Sequence, residues 1–115
     1  MARGDREWAE DILAAIKDIR ADTAGMDFTA SAGKPVIVRS VRYSIAVIGE
    51  AAKNMGSEFK ATCPEVPWRA ISGMRDRIVH EHFRTNIRRI WEVVTDEIEP
   101  LDNALRRSIS PPPAA

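Results

Sequence analysis

Between Trp68 and Phe83 the chain crowds together Arg75, Asp76, His80 and His82, the only stretch where groups fit for chemistry lie so close. An imidazole near its ordinary pKa exchanges a proton at neutral pH, and a guanidinium steadies charge growing on a phosphate. Together they suit attack on a phosphodiester: His80 as base or acid toward a ribose hydroxyl or leaving oxygen, Arg75 on the phosphate, Asp76 orienting one of them. This chemistry calls for no metal and no cofactor. As a bare pattern, Arg-x4-His arises by chance in many proteins, and a plain alternative makes Arg75 and Asp76 an interface ion pair. A metal at His80-Glu81-His82 is disfavoured, because helical residues two apart point about 200° from each other and no cysteine pair or third histidine is available.

Geometry sets a further condition. A straight helix turns about 100° per residue and so separates positions 75 and 80 by about 140° around its axis. Asp76 and His80, four apart, share a face. Either the helix ends or distorts near His80, or two copies of the segment meet across a symmetric dimer and complete the site together. The second is favoured.

The elements that must position this segment read as helices. Trp8, Ile12, Ile16 and Ile19 form an apolar stripe on a first helix from Asp5, a candidate N-cap, to about Ala24. A loop from Met26 to Lys34 follows, with Phe28 as a plug against the core. Pro35 suits the first turn of a long helix to about Met55, whose Val38, Val41, Ile45, Ile48, Ala52 and Met55 recur in steps of three and four. Gly49 inside it costs up to about 1 kcal/mol relative to alanine, which predicts close approach of a neighbouring helix. Glu50 reads as a surface or interface ion pair before a functional carboxylate. A connector with Pro64 and Pro67 leads into the third helix, carrying Trp68, Ile71, Met74 and Ile78. Trp68 could stack on a base, but its spacing from Ile71 favours a core role. Arg84-Thr-Asn86 breaks that helix, and Thr85 or Asn86 caps a last one through Ile87, Trp91, Val94, Ile98, Leu101 and Leu105. Pro100 predicts a kink or break near Ile98. The expected architecture is all-α: an up-and-down bundle of four to five helices over 1–107, with 108–115 a disordered proline-rich tail.

A chain of 115 residues has room for one core. Its 17 Lys and Arg balance 17 Asp and Glu, so no global charge argues for nucleic acid. Locally, Arg69, Arg75, Arg77, Arg84, Arg88 and Arg89 outweigh Asp76 and Glu81 around the organising stretch, a patch that suits phosphates or, more blandly, solvated helix faces. Cys63 is alone, which excludes an intrachain disulfide and points to the cytoplasm. No signal-like run and no stretch of roughly 20 apolar residues is present.

The blocks Ile48-Gly-Glu-Ala-Ala-Lys53, Pro64-Glu-Val-Pro-Trp68, Ile71-Ser-Gly-Met-Arg-Asp-Arg-Ile-Val-His80, Ile90-Trp91 and Pro100-Leu101 follow in an order that resembles the HepT-like toxins of the HEPN superfamily, over roughly Trp8 to Leu105. The resemblance implies a homodimeric helical bundle with two Arg-x4-His motifs lining a shared cleft, and metal-independent endoribonuclease activity. Arg75 and His80 match the two catalytic positions, and Asp76 the polar residue after the arginine. Arg77, His82 and Arg84 are expected to help hold RNA. The family further implies a toxin–antitoxin pair whose antitoxin is a minimal nucleotidyltransferase, MntA, which attaches AMP to a tyrosine two residues beyond the motif histidine. Here that position is His82, and the only tyrosine is Tyr43. A non-catalytic subunit that binds a nucleotide or the nucleotidyltransferase through the same cleft is the alternative.

Overall fold

The computed structural model describes residues 4–80 and 87–109, except for the side chains of Ile78, Val79, His80 and Ile87. It consists of α1 (Asp5–Thr23), α2 (Phe28–Ala32), α3 (Pro35–Asn54), α4 (Ser57–Ala61), α5 (Trp68–His80), α6 (Ile87–Glu92) and α7 (Ile98–Ile109). A π-helical segment, Val93–Glu97, joins α6 to α7, and no strand occurs among the described residues.

Contacts between helix ends fix the directions. Gly56 N–H, just past α3, donates to Asp5 Oδ1 at the start of α1 (2.7 Å), and Ser40 near the start of α3 hydrogen-bonds Asp22 near the end of α1. These two helices are therefore antiparallel. Trp68 opens α5 beside the same end, its indole N–H shared between the carbonyls of Lys60 (3.2 Å) and Cys63 (3.1 Å). Arg88 of α6 lies over the Phe28 ring at the other end (4.2 Å), while Ser108 of α7 returns to Cys63 (2.7 Å). The chain thus runs up, down, up and down, as the sequence predicts. Helix α3 is central, packed on α1 along one side and α5 along the other.

The predicted stripes supply the core. Ile12, Ile16, Ile19, Ile45 and Leu105 are almost wholly enclosed, each burial stabilising the fold by about 1.5–3 kcal/mol before entropy is subtracted. Trp8, Trp68 and Val94 pack against that core half-buried, and Trp91 is half-buried beside Phe28.

Several local expectations are corrected. Asp5 does not cap α1; Gly4 occupies that position, and the Asp5 carboxylate instead accepts from Gly56 across the fold. The expected 26–34 loop contains α2, capped by Asp27, whose Oδ1 accepts from Ala30 N–H (2.8 Å); its five residues are too few for helical periodicity to show. The 57–67 connector likewise holds α4. Pro100 sits inside α7 without breaking it. It has no N–H for the carbonyl of Asp96, and the preceding turn is widened, with Ile98 N–H reaching back five residues to Val93. Helix α7 runs to Ile109, so Ser108 and Ile109 are helical and half-buried rather than part of a loose tail. The expected cap at Thr85 or Asn86 and the rest of the tail lie outside the described residues.

Candidate active site at the α3–α5 seam

The site begins with a glycine. A Cβ at Gly49 would lie 2.6 Å from Arg75 Cβ and 3.2 Å from both Arg75 N and Ile71 O, so only a residue without one lets α5 come so close to α3. The predicted close approach is real, and the neighbour it admits is the candidate catalytic arginine.

Because the two backbones nearly touch there, the Arg75 side chain passes over Gly49 to the adjacent carboxylate. Arg75 Nε lies 3.0 Å from Glu50 Oε2, an ion pair between helices. Arg75 Nη1 donates to Asp76 Oδ1 (3.3 Å). Glu50 is itself held one turn further along α3, where Asn54 Nδ2 donates to Glu50 Oε1 (3.1 Å) and to the Glu50 carbonyl (2.8 Å). Among the described residues Nη2 has no partner. The Arg75 side chain is 36 % exposed and lines an open groove whose other walls include Trp8 and Asp11 of α1 and Ala46 and Val47 of α3.

Magnitudes show what this cluster is not. With Glu50 46 % and Asp76 58 % exposed, such pairs contribute at most about 1 kcal/mol each to stability. They set where a cation points far more than they hold the fold. Glu50 is expected in a surface or interface ion pair; it forms a surface pair between α3 and α5, and its partner is the candidate catalytic arginine. Asp76 is in contact with Arg75, one of the two groups it is expected to orient.

Helix α5 continues through His80 without a distortion of the kind seen before α7, so positions 75 and 80 stand about 140° apart on it. The His80 side chain lies outside the described residues, as do His82 and Arg84 entirely, and with them the metal alternative. Arg77 is exposed on α5.

The arginine patch is less free than its count suggests. Arg89 is spanned by Glu92 (3.4 Å) and Glu97 (3.0 Å), whose hydrogen bonds raise its already high pKa, and Arg88 stacks over Phe28. Arg69 and Arg77 remain exposed. Sequence reasoning missed Asn54 as the support of Glu50. It also missed Arg42, two turns before Gly49 on the same face of α3, whose buried Nε has no hydrogen-bond partner among the described residues. The adjacent Gly49-Glu50 pair, a costly glycine followed by a carboxylate, was the available signal for the seat.

The family Ribonuclease HepT-like matches residues 12–108. A Caldanaerobacter subterraneus subsp. tengcongensis protein named "Putative RNase" is 37 % identical over 101 residues, covering 88 % of this chain and 90 % of that protein. A Thermococcus cleftensis protein named "Probable ribonuclease HepT" is 34 % identical over 101 residues, covering 88 % and 92 %. A Methanocaldococcus jannaschii protein named "Putative RNase" is 34 % identical over 93 residues, covering 81 % and 77 %. No solved structure matches significantly. With this coverage, and an all-helical architecture, the chain belongs to the HepT-like ribonuclease family of the HEPN superfamily.

Proposed function

We propose that the protein is a metal-independent endoribonuclease acting as a homodimer, the toxin of a toxin–antitoxin module whose antitoxin is a small nucleotidyltransferase. The observation that carries the reading is Arg75: a guanidinium steered by Glu50 and Asp76 into an open groove, with a terminal nitrogen unoccupied among the described residues. A scissile phosphate entering the groove meets this cation, which stabilises the extra negative charge of the pentacoordinate transition state. His80 removes the proton of the ribose 2′-hydroxyl as it attacks the phosphorus, and the bond to the 5′-oxygen breaks as that oxygen takes a proton from the imidazolium or from water. The 140° separation on α5 makes the His80 of a second copy the natural partner of each Arg75. Arg77, His82 and Arg84 hold the flanking RNA backbone.

With His82 two positions beyond the motif histidine, modification of a tyrosine at that place is unavailable, so neutralisation proceeds by complex formation or at another group. The test is cleavage of single-stranded RNA by purified protein in EDTA, alongside Arg75→Ala and His80→Ala. Each substitution is expected to abolish cleavage and growth arrest, with dimerisation intact by sedimentation. Cleavage surviving both would remove the assignment. A wild-type protein that cleaves nothing and only co-purifies with a neighbouring nucleotidyltransferase would favour the non-catalytic binding subunit.

A further inference from the structure

We infer that Glu50, braced by Asn54 and brought into reach by Gly49, is the positioning residue for Arg75. The inference rests on the ribonuclease reading. Three observations along α3 carry it. Gly49 removes the Cβ that would hold α5 away, which sets the start of the Arg75 side chain directly over α3. Glu50 Oε2 then stands 3.0 Å from Nε, the nitrogen nearest the stem, and leaves the terminal nitrogens to Asp76 and to the groove. Asn54 grips the other Glu50 oxygen, so the anchor has its own support.

The position of the contact matters more than its strength. A carboxylate at Nε restrains the guanidinium close to its stem and, with Asp76 on Nη1, leaves Nη2 for a phosphate oxygen. A long, half-exposed arginine without such a restraint samples many rotamers, few of which place charge where the transition state develops it. Glu50 touches neither substrate nor reacting atoms in this scheme. It acts through Arg75.

Cleavage kinetics, thermal melting and the 15Nε heteronuclear NOE of Arg75 test the inference on the full chain. Glu50→Ala is expected to lower kcat about tenfold or more with KM changed less than about threefold, to leave the melting temperature nearly unmoved, and to lower the Arg75 Nε NOE. Glu50→Gln keeps an oxygen facing Nε and a contact for Asn54, and recovers most of both kcat and NOE. Asn54→Ala gives a smaller kcat loss in the same direction. Glu10→Ala, which removes an exposed ion pair with Arg6 on α1, is the control and changes none of these. A Glu50→Ala protein with wild-type kcat and an unchanged NOE would overturn the inference, as would a kcat loss that tracks a fall in melting temperature or that glutamine does not relieve. Should the wild type cleave no RNA, the ribonuclease reading fails by itself, and the NOE still decides whether Glu50 anchors Arg75.

Discussion

Two arginine–carboxylate clusters occupy this small bundle with opposite charge order. At the α3–α5 seam one cation, Arg75, stands between two carboxylates, and all three side chains reach solvent. At the α1–α7 contact one carboxylate, Asp102, stands between two cations, accepting from Arg20 Nη1 (2.8 Å) and Arg106 Nε (2.8 Å) with only 9 % of its side chain exposed. The second cluster ties the last helix to the first and has its carboxylate spent inside the fold. The first contributes little stability and leaves Nη2 of its guanidinium without a partner among the described residues, beside a groove. One cluster is closed within the fold; the other, on the proposed function, receives an anion.

Substitutions that separate the two roles test this contrast. The largest effect belongs to Arg75→Ala, expected to cut RNA cleavage by about 100-fold or more, the usual loss when a transition-state charge stabiliser is removed, while shifting stability by no more than about 1 kcal/mol. Kinetics beside a denaturant melt would show whether the two quantities part in this way. A parallel loss of both would make Arg75 a structural residue like those around Asp102.

Next comes Gly49→Ala. Alanine gains up to about 1 kcal/mol of helix propensity, but its methyl meets Arg75 Cβ at 2.6 Å with backbone atoms close behind, and overpacking costs about 1–3 kcal/mol. A net destabilisation of about 1–2 kcal/mol with reduced cleavage is expected. A more stable variant with full activity would show that the close approach is dispensable.

Asp102→Asn is expected to cost about 1–2 kcal/mol in urea melts at pH 7, discounted because both arginines can turn to water, and to leave kcat unchanged. The pH dependence follows from the same cluster. Burial pushes the Asp102 carboxyl upward, but hydrogen bonds and charge from Arg20 and Arg106 outweigh it and leave its pKa below the ordinary value. A carboxylate with a lowered folded-state pKa contributes its stabilisation in full above the unfolded value, about 3.9, and loses it as pH falls through the folded one. The stability gap between wild type and Asp102→Asn should therefore be constant from pH 7 to about 5 and shrink below about pH 4. A gap that widens on acidification would reverse the assigned sign. The smallest effect is Glu10→Ala, within about 0.5 kcal/mol by thermal melting, because its i,i+4 partner Arg6 is 70 % exposed.

How legible all this was depended on the range of each interaction. Helix faces come from local spacing, and the stripes of α1, α3 and α7 followed from it directly. Gly49 announced a close neighbour through its cost, but which helix, and that Arg75 would lie there, depends on how two segments 26 positions apart align. No periodicity encodes that. Asp5 shows the same boundary: its residue type fits a cap, yet the amide it serves is Gly56, brought near only by the antiparallel turn of α3. Pro100 was legible as a disturbance but not as a π-helical turn, because the backbone has more than one way to spare the Asp96 carbonyl. Ser108 was read as tail from the prolines that follow it, while its contact with Cys63 and the partial burial of Ile109 carry α7 further.

The central claim is that each Arg75 works with the His80 of a second copy, and mixing two inactive variants tests it most directly. Arg75→Ala and His80→Ala chains, unfolded together and refolded into mixed dimers, should regain about a quarter of wild-type cleavage, since half the dimers are mixed and each carries one intact cross-subunit site. A mixture that forms those dimers and remains as inactive as either parent would contradict the shared site.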